Sequence, residues 1–139
     1  LHTLEVDRCV LKAGLERCAE YFELDEAGHL QVGQSFLKPI VQHYNFDYLS
    51  GLEVTMDVRR PVGDLVTSMV YEGKELEEGR MLTLCMNNYR ATGTGGYPFY
   101  AKCRLVKDQP TEISQMIIEY IDRHKHVVVD KRKWLHVIY

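Results

Sequence analysis

The chain has no Cys-x-x-Cys pair. Its four cysteines stand apart at positions 9, 18, 85 and 103, which leaves out the usual zinc and dithiol redox signatures. Cys18 and Cys85 fall in apolar patterns and read as small core residues. The spacing admits a disulfide without requiring one. No apolar stretch is long enough to cross a bilayer as a helix. There is no cationic excess: 17 Lys and Arg stand against 20 Asp and Glu, a net charge of -3. That argues against nucleic acid as a partner, since such domains carry a basic stripe. The one basic run, Lys131-Arg132-Lys133, is short and reads as a solvated end.

Catalytic signatures are missing too. No G-x-x-x-x-G-K-[ST] loop is present, and Gly93-x-Gly95-Gly96 lacks the spacing of a dinucleotide fingerprint. Ser35, Ser50, Ser68 and Ser114 have no nucleophile-elbow context. Among the histidines (2, 29, 43, 124, 126 and 136) only His124 and His126 are close, at a predicted helix end, where solvation explains them better than a metal. Repeats and low-complexity segments are absent. No residue of this chain is assigned a catalytic or metal-binding role.

What remains is an ordinary globular composition, 45% hydrophobic and 27% charged over 139 residues. That length is enough for one domain that buries roughly two-thirds of its unfolded surface. The chain opens without an initiating Met at Leu1-His2-Thr3-Leu4, in mid-pattern. We expect an N-terminally shortened piece of a larger protein, with its targeting information elsewhere.

Leu1, Leu4 and Val6 predict a short strand. Leu11, Leu15, Cys18 and Phe22 recur at helical spacing and predict an amphipathic helix over 8–22. Residues 23–45, punctuated by Gly28, Gly33 and Pro39, predict a long surface excursion. Leu52, Val54, Met56 and Val58 alternate with polar residues and predict a half-buried strand. Turns at 60–64, 72–74 and 78–79 separate it from strands at 65–71 and 81–87, paired antiparallel through these short connections. The run Met81 to Met86 reads as buried. Residues 99–106 form a short strand or an irregular segment. A second helix opens at Pro110-Thr111-Glu112, with Ile113, Met116, Ile117, Tyr120 and Ile121 as its buried stripe. Residues 127–129 and 134–139 are β-prone. The expected fold class is α+β, a mixed or antiparallel sheet flanked by two main helices.

The most informative stretch follows the strand at 81–86: Asn87-Asn88-Tyr89-Arg90-Ala91-Thr92-Gly93-Thr94-Gly95-Gly96-Tyr97. Its glycines admit close backbone approach and positive φ. Tyr89 offers a face to a flat ring, and Asn87, Asn88 and Arg90 offer directional hydrogen bonds. These are parts for holding a nucleobase or a similar polar ring. A plain hairpin turn would account for the glycines, but it has no need of Asn-Asn-Tyr-Arg. A second polar-aromatic cluster, Tyr44-Asn45-Phe46-Asp47-Tyr48-Leu49-Ser50-Gly51, either rims a pocket or supplies core aromatics at the start of a strand.

These two clusters, in this order and about this far apart, resemble the C-terminal domain of the 5′-nucleotidase family. Residues 44–57 and 87–97 carry the likeness, and residues 1–22 are similar to the strand and helix that open the domain core. Asn87 to Ala91, Tyr44 to Asp47 and Lys133-Trp134 look most like the branch of bifunctional 2′,3′-cyclic-nucleotide 2′-phosphodiesterase/3′-nucleotidases.

The resemblance implies an α/β sandwich that grips the nucleoside of a 2′,3′-cyclic or 3′-nucleotide, with the base between two aromatic rings. Hydrolysis then falls to an N-terminal metallophosphoesterase domain of the same protein, with two divalent metal ions, so this chain alone is expected to be inert and to carry no cofactor. Tyr89 takes the place of the second stacking aromatic, flanked by Asn87, Asn88 and Arg90. Gly93 and Gly96 match loop glycines. Gly95 stands where the 5′-nucleotidase branch has a ribose-binding Asp, which points to the cyclic-nucleotide branch. The first stacking aromatic would precede Leu1. Nucleic acid and membrane are not expected partners. The location implied is extracytoplasmic: periplasmic, secreted or wall-attached. Two alternatives stay open: the C-terminal domain of a 5′-nucleotidase or UDP-sugar hydrolase, and a non-catalytic nucleotide-binding module.

Overall fold

Leu4 and Val6, the inward positions of the first predicted strand, are buried at 3% and 1% exposure in a computed structural model that describes all of residues 1–139. Contacts divide the chain into two units, Leu1–Val6 with Met81–Arg132 and Asp7–Arg80 with Lys133–Tyr139. The chain therefore leaves its first unit after one strand and returns to it 75 residues later, at Met81.

The first unit is built on a three-stranded antiparallel sheet. Its central strand β1 (His2–Val6) lies between strands Leu82–Met86 and Arg104–Asp108. The register runs from His2 opposite Met86 to Val6 opposite Leu82. Glu5 and Arg104 form a two-pronged ion pair across strands at 2.7 and 2.9 Å, which holds the Glu5 carboxyl below its ordinary range.

Two expectations are corrected here. Strand 81–87 does not pair with the neighbouring strands at 52–58 and 65–71; its partner is β1, about 80 residues away in sequence. Nor is it buried. As an edge strand it covers only alternate residues, so Leu82, Leu84 and Met86 are half-buried while Thr83 and Cys85 face solvent. Cys85 is thus no core residue, whereas Cys18 is buried at 2% exposure.

The second predicted helix is present as Ile113–His124, just after Pro110-Thr111-Glu112, with an Arg123-His124 last turn suited to its dipole. Lys125, in the left-handed region, closes it by donating its N–H to the Ile121 carbonyl at 2.8 Å. Its apolar stripe, however, is not buried. Ile117 and Tyr120 are each 53% exposed and no residue of the helix is buried, because periodicity defines a face without supplying what covers it.

The second unit begins with α1 (Arg8–Ala19). Asp7 caps it by accepting the Val10 N–H at 2.8 Å, and Leu11, Leu15 and Cys18 are its buried face. The helix ends short of the predicted Phe22, which instead opens β2 (Phe22–Leu24), paired with β3 (Leu30–Val32). Gly33 fixes this crossing. Its N–H donates to the Tyr21 carbonyl at 2.9 Å, and a Cβ there would lie 1.9 Å from the Glu20 carbonyl oxygen. Residues 23–45 are therefore not a bare surface excursion, since they hold this hairpin and bury Phe36 and Asn45 at 0% and 1% exposure.

A four-stranded mixed sheet completes the unit. β4 (Glu53–Asp57) pairs antiparallel with β5 (Val66–Tyr71) and parallel with the C-terminal strand Leu135–Ile138, and β6 (Lys74–Glu75) lies beyond β5. Val54 and Met56 are buried as their alternation predicts. The turn between β5 and β6 places Glu72 and Gly73 at φ 51° and 78°, the backbone of a two-residue hairpin. In chain order the remaining elements are β7 (Leu82–Met86), α2 (Asn88–Ala91), β8 (Arg104–Asp108), α3 (Ile113–His124) and β9 (Leu135–Ile138). Mixed and antiparallel sheets with two principal helices make an α+β fold, as the sequence predicts.

Candidate functional site

The candidate loop leaves β7 at Met86 and turns at once. Asn87 is extended, and its side-chain oxygen accepts the Arg90 N–H at 2.7 Å, capping the single turn α2. The Asn88 side chain accepts the N–H of Tyr89 at 3.0 Å. α2 packs against β1 and against the short turn at Tyr100–Lys102, and its Ala91 is buried. Thr92 donates its hydroxyl to the Tyr89 carbonyl at 2.9 Å and lies 3.2 Å from the Thr94 hydroxyl. Gly93, Gly95 and Gly96 all sit at positive φ, 86°, 78° and 94°. At Gly93 a Cβ would also meet the Pro98 Cα at 3.0 Å.

All the predicted site residues thus lie in one loop of the first unit, on two sides of it. Asn87, Asn88 and Tyr89 are exposed, with Tyr89 at 43%. Arg90 points inward and is 4% exposed. Its guanidinium lies 3.9 Å from the Tyr97 ring centroid and donates to the Thr94 carbonyl at 2.7 Å. Tyr97 is fully buried and stacks on Tyr100, with centroids 5.8 Å apart and planes 5° apart. No sequence signal marks the Arg90–Tyr97 contact beyond two residues seven apart in one loop. From Met86 to Cys103 there is no acidic residue, and Arg90 and Lys102 are cationic, which suits an anionic ligand.

Beside the loop, Asn88 borders an open cleft with His2, Asp108, Ile113 and Ser114, where His2 Nε2 and an Asp108 oxygen are 3.2 Å apart. Local sequence reading could not find this pair, because strand pairing across 106 positions creates it. The second aromatic cluster belongs to the other unit and is mostly structural. Phe46 packs against Tyr21 at 4.8 Å and Phe22 at 5.6 Å. Asn45 is buried and donates to Gln42 at 2.6 Å, and Tyr48 accepts the Trp134 N–H at 3.3 Å. Tyr44 and Tyr48 are its exposed rings, at 68% and 57%. No three His, Cys, Asp or Glu side chains converge as metal ligands, so the donor set in this chain does not fit a metal centre.

The fold and loop define an α+β domain that presents one aromatic ring beside a glycine-rich turn. The chain belongs to the family of 5′-nucleotidase C-terminal domains, whose model matches residues 10–102. It is 28% identical over 106 residues to the trifunctional nucleotide phosphoesterase protein YfkN of Bacillus subtilis strain 168, a match covering 68% of this chain and 7% of that protein. It is also similar, at TM-score 0.92 and 33% identity, to a Staphylococcus aureus protein assigned as a 5′-nucleotidase and solved in complex with alpha-ketoglutarate. That match covers 99% of this chain and 27% of the solved one. The chain therefore spans well under two-thirds of either relative. No helix is long and apolar enough to cross a membrane.

Proposed function

We propose that this domain, residues 1–139, holds the nucleoside of a nucleotide substrate for a metal-dependent 2′,3′-cyclic-nucleotide 2′-phosphodiesterase/3′-nucleotidase, with hydrolysis carried out by residues outside this chain. The observation that carries it is Tyr89, an exposed ring on a capped turn beside three glycines of positive φ, in a member of this family. Tyr89 stacks on the base, Asn87 and Asn88 stand beside it, and Gly93, Gly95 and Gly96 let the backbone approach. Stacking contributes about 1–3 kcal/mol per base and tolerates every base, which suits broad specificity.

The strand register supports an opposing partner. β1 runs antiparallel to β7 with His2 opposite Met86. The start of β1 and the start of the loop at Asn87 therefore lie at the same end of this sheet, and the family resemblance puts the other aromatic just before Leu1. Metal ions, held elsewhere in the longer protein, would polarise the phosphoryl group and supply a hydroxide nucleophile. Gly95 in place of an acidic ribose ligand favours substrates whose ribose carries phosphate on the 2′ and 3′ oxygens. An extracytoplasmic location goes with this reading.

A 5′-nucleotidase or UDP-sugar hydrolase is the second reading, favoured by the assignment of the Staphylococcus aureus relative. The test is phosphate release by the full-length metal-loaded protein. Turnover of 3′-AMP and 2′,3′-cyclic AMP well above that of 5′-AMP is expected. The reverse order supports the second reading, and no turnover of any of them removes both.

A further inference from the structure

We propose that Arg90 is a positioning residue: a strut that fixes the glycine loop and the direction of the Tyr89 ring, rather than a ligand to substrate. The proposal rests on the nucleoside-site reading above. In a run whose preceding members Asn87, Asn88 and Tyr89 are exposed, Arg90 alone is buried, at 4% exposure. Its guanidinium carbon lies over the Tyr97 ring, 3.9 Å from the centroid, and Nη1 donates to the Thr94 carbonyl at 2.7 Å. Its backbone N–H is taken by the Asn87 side chain. One residue therefore ties the entrance of the loop at position 87 to its middle at 94 and its exit at 97.

The anchor at the far end is itself fixed. Tyr97 stacks on Tyr100, and its N–H donates to the Gly93 carbonyl at 3.3 Å. Between these points the loop has three glycines, the residues with most backbone freedom to lose. A loop ordered before ligand arrives does not have to be ordered by the ligand, and affinity rises accordingly. Tyr89 is the neighbour of Arg90, and its ring centroid is 5.7 Å from the guanidinium carbon. The strut thus sets where that ring stands and puts positive charge near it. Lysine replaces it only in part, keeping the charge but having neither a planar face to stack nor a fork of donors.

The test uses the full-length metal-loaded protein with its best nucleotide substrate, and adenosine as a competitive inhibitor that carries no phosphate. Arg90→Met and Tyr97→Leu are each expected to raise both the KM for nucleotide and the Ki of adenosine about tenfold, with kcat within about twofold. The double variant should be little worse than either single one, because both remove the same strut. Tyr97→Phe keeps the ring and should behave as the parent. Arg90→Lys keeps the charge and guards against misfolding, and it should lose affinity in the same direction by a smaller factor.

A raised nucleotide KM with unchanged adenosine inhibition would mean that Arg90 touches phosphate, and would overturn the strut. Additive losses in the double variant would overturn it too. Tyr89→Ala separates the two failures. If it weakens adenosine inhibition while Arg90→Met does not, only the strut fails. If Tyr89→Ala leaves adenosine inhibition unchanged, the nucleoside-site reading falls and the strut with it.

Discussion

The carboxylate of Glu16 accepts the backbone N–H of Leu65 at 2.9 Å, and its other oxygen accepts that of Val66 at the same distance. One side chain of α1 thus satisfies two donors where β5 begins, at a seam where Glu16 retains 12% exposure and Lys12 lies 4.0 Å away. Buried donors left without partners are costly. Glu16→Ala should destabilise the chain by about 2–3 kcal/mol. Glu16→Gln, which keeps one carbonyl oxygen, should cost about half as much. Urea unfolding followed by circular dichroism measures both.

In the full-length protein, Tyr89→Ala should raise KM by roughly tenfold and leave kcat nearly unchanged. Stacking acts alike on ground and transition states, so its removal appears as uniform binding. Tyr89→Phe should retain most of the affinity. Steady-state kinetics with the preferred nucleotide decides it, and an unchanged KM for Tyr89→Ala would take this ring out of the site.

Two glycines should resist substitution for different reasons. Gly33→Ala drives a Cβ to 1.9 Å from the Glu20 carbonyl oxygen, so backbone must move and the β2–β3 hairpin must shift away from the end of α1. Gly93→Ala combines a 3.0 Å approach to the Pro98 backbone with φ at 86°. We expect losses of about 3 kcal/mol or more for the first and about 1–3 kcal/mol for the second. Thermal melts rank them, and only Gly93→Ala should also weaken nucleotide binding.

Asp57 forms a two-pronged pair with Arg59 at 2.7 and 2.8 Å, which lowers its carboxyl from the ordinary 3.8 to about 2. A carboxyl whose folded-state value is depressed favours the fold above its unfolded value, and this contribution fades as it is protonated. Melting temperature should therefore fall between about pH 4 and pH 2 in part through Asp57. Asp57→Asn should show a shallower fall over that window and lower stability at pH 7. Equal acid slopes in the two proteins would assign the transition to other carboxylates.

The periodic elements were legible because their burial is local. The alternation of Leu52, Val54, Met56 and Val58 and the helical spacing of Leu11, Leu15 and Cys18 each state a face, and the structure buries those faces. Misreadings arose where a partner lies far along the chain or is absent. β7 looked like the next strand of a meander, yet its partner is β1 at the other end of the sequence. The Ile113–Ile121 stripe has the period of a buried face, but a period cannot say whether anything packs on it. In the candidate loop, the positive φ of the glycines and the exposure of Tyr89 could be read from residue chemistry. The inward turn of Arg90 could not, because an arginine beside an aromatic and two asparagines reads equally well as a ligand contact. Its burial and its contact with Tyr97 appear only in three dimensions.

The parallel seat of β9 beside β4 has a consequence for the order of events during synthesis. Residues 135–138 cover the outer edge of β4, whose ladder otherwise ends in open N–H and C=O groups, and almost 80 residues separate the two strands. Until residues 135–138 emerge from the ribosome, Val54 to Asp57 remain an exposed edge of the kind that recruits other chains. The second unit, begun at Asp7, is completed only after Met81–Arg132 of the first has emerged. The edge of β4 is thus open from the emergence of Asp57 until that of Leu135, and a chaperone that shields β4 would act over that whole interval.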